Sequence, residues 1–329
     1  MKKVPVVLQK RRLYSLVFIS VALVMISIGL LMHIQSLSSR IAALENREVV
    51  LSKTLATYKR SLCLNSDSKQ VNVLTKYDMQ SGGYDRTYQV HTPTNYDPSV
   101  RYPVILSFDG IEGSGDRMEG YAGLDALPAL IVYPDPLPGS RGFASWEGAP
   151  YSINSDRDTQ FVHDLLEALP NMYCIDSTRQ FAVGMSNGGS FATIVGCEFG
   201  DKIRAVASVS GAFYTTCKEQ QRTPSLLLIH SSNDKQVPLY GSPTRQLPNV
   251  PSWIEAQAVE RQCKTKKNIA TSDMAVRYVW QECNNNSSLA LTVIDAQPHG
   301  WLSIPQASGQ KIPGTAGYIW DFFKQSIYR

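Results

Sequence analysis

The sequence is short of charge: only 18% of its 329 residues are Asp, Glu, Lys or Arg, against 43% hydrophobic residues. That balance excludes a disordered polyelectrolyte and fits a chain that buries a large core. It has no internal repeat and no low-complexity tract, so a solenoid or tandem array is excluded. No Cys-x-x-Cys pair and no Cys/His cluster at ligand spacing occurs, so no zinc or other metal site is expected. The glycine-rich segment Phe108–Gly115 is not followed by Gly-Lys-Ser/Thr and carries acids that repel phosphate, which argues against a nucleotide cradle. A nucleic-acid footprint is lacking too. The formal charge of +4 belongs to residues 1–60, with ten Lys/Arg against two acids, and the remainder is acidic by four charges.

What is present begins at that basic end. Lys2, Lys3, Lys10, Arg11 and Arg12 precede an uncharged apolar run from Leu13 to Met32. Twenty helical residues span about 30 Å, the thickness of a bilayer's hydrocarbon core. The expected arrangement is a cytoplasmic tail at 1–12, a transmembrane signal anchor at 13–33, and everything after His33 outside the cell by the positive-inside rule. A cleaved signal peptide is the alternative, with Ser36-Leu37-Ser38 as a poor cleavage site and a secreted product. Next, Ile34, Leu37, Ile41, Leu44, Leu51, Leu55 and Tyr58 keep a 3-4 heptad spacing, broken by Glu48. A helical stalk over 34–62 follows from this. It would serve either as a short parallel coiled coil that makes the protein a homo-oligomer or as a monomeric amphipathic linker.

From about residue 70, short apolar runs alternate with helical patterns, which predicts an α/β catalytic domain over 63–329. The expected strands are Val71–Tyr77, Tyr84–Thr92, Tyr102–Phe108, Leu130–Tyr133, Gln180–Gly184, Ala205–Ser210, Ser225–His230 and Ala290–Asp295. The expected helices are Asp158–Leu169, Asn187–Glu198, Ser252–Gln262 and Gly317–Ile327. Their order calls for a mostly parallel sheet of about eight strands covered on both faces. Six cysteines, Cys63, Cys174, Cys197, Cys217, Cys263 and Cys283, all lie beyond the anchor. An even count in an oxidising compartment suggests three disulfides with fifteen possible connectivities. Cys263 with Cys283 and Cys197 with Cys217 are the closest in sequence, and Cys63 with Cys174 would remain.

The chemistry concentrates at Gly184-Met185-Ser186-Asn187-Gly188-Gly189, a Gly-x-Ser-x-Gly turn between a strand pattern and a helix pattern. A serine on so sharp a turn needs neighbours without side chains, so that strand and helix can cross closely. Its hydroxyl needs a histidine base and a carboxylate to orient that base. Of five histidines only His230 and His299 follow the serine, and His299, in the loop after the last strand, is the candidate base. His33, His91 and His163 read as structural. Asp234, after the strand that ends at His230, is the candidate acid; Asp295 lies too close to His299 for a separate orienting loop. Asp97 and Asp135 read as turn formers. The amides of Asn187 and Ile111 are the candidate oxyanion donors. Trp301 and Trp146 are candidate substrate-stacking rings, unless Trp301 packs under the base loop and Trp146 closes the sheet edge.

Residues of about 84–325 resemble the polyhydroxybutyrate depolymerase and feruloyl esterase group of secreted α/β-hydrolases, grouped with carbohydrate esterase family one. The resemblance runs through Tyr88–Pro93, Tyr96-Asp97, Pro103–Gly110, Tyr133-Pro134-Asp135 and Asp158-Thr159-Gln160-Phe161. It continues through Ile175-Asp176 with Arg179, the Gly184–Gly189 turn, Ala205–Gly211, His230 to Asp234 with Val237-Pro238, and His299-Gly300-Trp301. It implies an α/β-hydrolase fold, a Ser186–Asp234–His299 triad, no cofactor, and hydrolysis of feruloyl or acetyl esters of polysaccharide or of hydroxyalkanoate esters; a membrane tether would bring such an enzyme to polymers or oligomers at the cell surface. Two departures stand out: Asp109-Gly110 replaces the group's usual His-Gly, and Gln297-Pro298-His299-Gly300-Trp301-Leu302 replaces Gly-Gly-His-x-Trp-Pro. Asp109 and Glu112 leave room for a membrane-anchored binding or scaffold protein with a degenerate site. A serine peptidase on the same fold lacks the extra propeller-like domain.

Overall fold

The computed structural model describes residues 6–61, 63, 71–153, 155–215, 223–272, 274–304 and 314–327. The chain divides into two compact units, one up to Leu62 and one from Cys63 onward. The first is a single helix, α1 (Val6–Ser61), 56 residues long. Among the described residues it holds the one stretch, Leu23–Leu55, that contains an 18-residue window apolar enough to cross a membrane, with a mean hydropathy of 1.3; its charged residues, Arg40, Glu45, Arg47, Glu48 and Lys53, all lie beyond His33.

The second unit is built on one ten-stranded sheet. Its strands are β1 (Leu74–Ser81), β2 (Tyr84–His91), β3 (Tyr102–Phe108), β4 (Leu130–Pro134), β5 (Ile175–Met185), β6 (Ile203–Val209), β7 (Ser225–Ser231), β8 (Thr265–Ser272), β9 (Ala275–Gln281) and β10 (Leu289–Ile294). They lie in the order β1-β2-β4-β3-β5-β6-β7-β10-β9-β8. The six central strands, β4 to β10 in that order, are parallel, and antiparallel hairpins close both edges. The central strands are buried on both faces, which is why β3, β4 and β7 read as nearly continuous apolar runs. Helices α3 (Arg157–Met172), α4 (Asn187–Glu198) and α5 (Val250–Glu260) cover one face. Helices α2 (Gly115–Ala122) and α6 (Gly314–Ile327) cover the other. Helix α3 does so through Phe161, Val162, Leu165, Leu166 and Leu169, one apolar stripe at helical spacing. This is the α/β-hydrolase arrangement.

The sheet has ten strands where about eight were expected, because the Lys/Asn-rich stretch after Cys263 is an edge hairpin, β8–β9. On an exposed edge the strand's outward positions tolerate Lys and Asn, so alternation is masked by composition. Helix α2 was also missed: eight residues with glycine at positions 115 and 120 leave too short a periodic pattern to read. Disulfides join Cys63 to Cys174 and Cys263 to Cys283, the latter closing the base of the β8–β9 hairpin. Cys197 is disulfide-bonded as well, while Cys217, its expected partner, lies outside the described residues.

Candidate active site

Strand β5 ends at Met185 and α4 begins at Asn187, so Ser186 is the entire connection. Its backbone sits at φ 55°, ψ −118°, a conformation that non-glycine residues adopt only where the surroundings enforce it. The surroundings do so. The Ser186 N–H donates to the Val209 carbonyl at 2.9 Å, and its own carbonyl accepts from Ser190 and Ala212 at 3.1 Å each. The crossing is tight enough that a Cβ on Gly188 would overlap the carbonyls of Phe108 and Asp109, and one on Gly184 would overlap the Gly188 carbonyl. This is the close approach the sequence pattern required.

Three loops at the carboxyl ends of parallel strands meet over Ser186. After β10, His299 places Nε2 3.0 Å from Ser186 Oγ. After β7, Asp234 places Oδ2 2.7 Å from His299 Nδ1. The other carboxylate oxygen of Asp234 accepts the N–H groups of Gln236 and Val237 at 2.9 and 2.8 Å. Burial alone would push the Asp234 carboxyl up, but the His299 ring and the Val237 amide outweigh it and hold the group below the ordinary range. The His299 loop is itself pinned: Ser210 Oγ donates to the Gly300 carbonyl at 2.9 Å and Ser231 Oγ to the Gln297 carbonyl at 2.5 Å.

His230 is not in this line but supports it. Its Nε2–H donates to the Val237 carbonyl at 2.7 Å, clasping the loop that carries Asp234, and burial lowers its pKa so that the ring stays neutral. Asp295, the rejected acid, accepts instead from Ser232 Oγ at 2.9 Å. His163 pairs with Asp164 on α3, and His91 lies 3.5 Å from Asp125. Asp97 accepts the Ser99 N–H as a turn former. Asp135 does more than form a turn: it accepts the N–H of Gly115 at 2.7 Å and the hydroxyl of Thr87, tying α2 to β2.

The loop after β3 lies against the serine, for a Cβ on Gly110 would stand 3.2 Å from that of Ser186. Here the structure explains Asp109. Its carboxylate is fully buried and accepts from the Gly110 N–H at 2.6 Å, from Arg117 Nε at 2.7 Å and from the Tyr121 hydroxyl. Arg117 also donates to the carbonyls of Ile111 and Glu112 at 3.4 and 3.3 Å, so one guanidinium holds the whole turn. The Gly110 amide is taken by Asp109, which leaves the amides of Ile111, next along that loop, and of Asn187, next after Ser186, as the candidate oxyanion donors. The Asn187 amide opens α4, so it has no intrahelical acceptor, and the helix's positive end adds to its pull on an anion.

Trp146 is not at the mouth. It is fully buried, stacked on Phe191 with ring centroids 4.9 Å apart, and its Nε1–H donates to the Asp109 carbonyl at 3.0 Å. Its backbone exchanges hydrogen bonds with the Asn187 side chain at 2.7 and 3.2 Å. A large aromatic in a long loop reads equally as a surface platform or a core plug, and only the packing separates the two. The Trp146 loop is held in turn by Asp158, which accepts the Glu147 N–H and forms a fully buried ion pair with Arg86 at 2.8 Å. Trp301 is half-buried, with its ring 6.1 Å from that of Tyr121. Asp109 with Arg117 and Tyr121, and the Trp146–Asn187 lock, escaped sequence reasoning because their partners are separated by 8 to 41 positions. The unusual Asp109 was the single visible signal.

Residues 80–296 match the Esterase family, over well more than half of the chain. The chain belongs to the esterase family. The matched range contains Ser186 and Asp234, and His299 lies just past its end. This esterase is 28% identical over 205 residues to "Probable feruloyl esterase C" of Aspergillus terreus, covering 58% of this chain and 72% of that protein. It is 29% identical over 168 residues to feruloyl esterase C of Emericella nidulans, covering 48% and 58%. To a bifunctional acetylxylan esterase/xylanase of Neocallimastix patriciarum it is 25% identical, covering 74% and 34%. The latter two are thus matched over less than two thirds of their own length. Among solved structures, acetyl xylan esterase from Aspergillus awamori superposes with a TM-score of 0.50 at 13% identity, over 69% of this chain and 94% of that one, a likeness of fold.

Proposed function

We propose that this esterase is a serine carboxylic-ester hydrolase that works through a covalent acyl-enzyme. The observation that carries this reading is the unbroken line from Ser186 Oγ through the His299 ring to the buried Asp234 carboxylate. Ser186 Oγ attacks the ester carbonyl carbon while His299 Nε2 takes its proton, and the carbonyl oxygen becomes an anion held by the amides of Ile111 and Asn187. Collapse breaks the acyl–oxygen bond, and the leaving alkoxide takes the proton from His299. Water then attacks the acyl-serine, with His299 as base again, and releases the acid. Asp234 keeps the ring oriented and stabilises its charged form.

The substrate reading rests on the relatives, whose names speak of feruloyl and acetylxylan esters. Esters of an aromatic or acetyl acid with a polysaccharide are the proposed class, and hydroxyalkanoate esters the alternative. The basic residues, the apolar run and the disulfides support an N-terminal anchor with the hydrolase domain outside the cytoplasm.

Labelling with a fluorophosphonate, together with rates on p-nitrophenyl acetate, methyl ferulate, acetylated xylan and 3-hydroxybutyrate oligomers, tests the chemistry. Wild type is expected to label at Ser186, and Ser186→Ala to lose both label and turnover, by on the order of 10⁴-fold or more in kcat. A folded wild type that neither labels nor turns over p-nitrophenyl acetate would leave a binding protein. Protease added to intact cells is expected to remove the domain; protection until lysis would reverse the topology.

A further inference from the structure

The apolar stripe of α1 beyond the proposed anchor is exposed among the described residues, and its details specify a partner. Ile34, Leu37, Ile41, Leu44, Leu51 and Leu55 are 44 to 71% exposed along an uninterrupted helix. In heptad positions the pattern places Ile34 and Ile41 at a, Glu48 and Leu55 at the next two a positions, and Leu37, Leu44 and Leu51 at d. Isoleucine at a with leucine at d is the composition that favours two parallel strands, because the Cβ branch fits the parallel packing of the a layer and γ-branched leucine that of the d layer. The flanking charges agree. Arg40 falls at g and Glu45 at the following e, the two positions that meet between parallel chains, so a symmetric pair makes two Arg40–Glu45 contacts. An antiparallel pair would set g against g and e against e, arginine facing arginine. Glu48, the one break in the seam, has Arg47 at the g position immediately before it, beside the same layer.

We infer that residues 34–55 form a parallel two-stranded coiled coil with a second copy of this chain, in the register that pairs Arg40 with Glu45. The seam covers three heptads, about 33 Å of helix, which is marginal for free peptides in water. Anchoring both chains in one membrane raises their effective concentration and offsets that weakness. The inference rests on the proposed anchor and stands apart from the hydrolase reading, since none of these residues belongs to the active site.

The test uses the full-length protein in its own membrane, with two differently tagged copies. Leu44→Cys, at a seam position, is expected to give a disulfide-linked dimer, and Asn46→Cys, on the outer face, is not. Arg40→Glu alone and Glu45→Arg alone are each expected to lower self-capture about tenfold, because each homodimer then carries two like-charge contacts. Mixing those two variants restores both contacts and is expected to restore capture to the wild-type level. Glu48→Leu, which completes the seam, is expected to raise the linked fraction. A wild-type chain that stays monomeric overturns the inference. So does equal linking at positions 44 and 46, or single charge variants that self-associate like wild type. Rates on p-nitrophenyl acetate, unchanged in all of these variants, keep the outcome separate from the fate of the catalytic proposal.

Discussion

Arg117 lies half-exposed on the first turns of α2, yet it fixes the backbone beside the nucleophile. Its guanidinium bonds Asp109 and two carbonyls of the same turn, so Arg117→Ala frees the segment whose Ile111 amide is a proposed oxyanion donor. That amide matters most in the transition state. The expected result is a fall in kcat of about 10- to 100-fold with KM nearly unchanged, measured on p-nitrophenyl acetate. Arg117→Lys, which cannot span all three acceptors, should fall between. A rise in KM at constant kcat would place Arg117 in ground-state binding instead. Trp146 gives the contrasting case. Its ring fills the space between Phe108 and Phe191, so Trp146→Ala is expected to cost about 3–5 kcal/mol in denaturant unfolding. Trp146→Phe should retain most of the packing and lose the hydrogen bond to the Asp109 carbonyl.

Among the elements, the β8–β9 hairpin depends most on a covalent tie. It sits at the sheet's edge beyond β10, with Lys266, Lys267 and Asn268 on its outer strand, and Cys263–Cys283 closes its base. Closing a loop of this size contributes about 3 kcal/mol in the chain-entropy model. The double variant Cys263→Ser/Cys283→Ser is therefore expected to lose roughly that much stability. Its kcat/KM on a small ester should be unchanged, because the triad is carried by other loops. Peptide mapping without reduction checks the bond directly. Helix α4 is the opposite kind of element: ten of its twelve residues are buried, so any polar change there threatens the fold before the chemistry.

At the scale of the whole molecule, two groups beside the site each contribute a loss of stability as the medium becomes acidic. His230 is buried with a pKa below its ordinary 6.5, so the unfolded chain takes up a proton that the folded chain refuses. Stability is then complete above about pH 6.5 and declines as pH drops below it, until the folded pKa is reached. Asp234 acts lower down. Its carboxyl is held below the ordinary 3.8, so its contribution is present above that value and lost as pH falls through the folded pKa. Thermal unfolding between pH 7 and 5 is expected to show a positive slope of Tm against pH that His230→Gln reduces, the buried His91 supplying part of what remains. An equal slope in the variant would assign the decline to other groups.

The sequence by itself determined the fold class, the place of eight strands and the three residues that meet at the nucleophile. Each of those rests on local information: a buried strand must be apolar, a strained serine turn must have glycine around it, and chain order leaves one histidine after the last strand. The long-range partnerships were decided by the tertiary structure alone. Nothing near Asp109 in the chain foretells that Arg117 neutralises it and Tyr121 donates to it from the next helix, or that the carbonyl of Asp109 accepts the indole N–H of Trp146. The β8–β9 hairpin was hidden for the same reason. An edge strand such as β8 shows its outward side chains to water, so its composition reports the solvent, and only its pairing with β9, and that of β9 with β10, reveals that it belongs to the sheet.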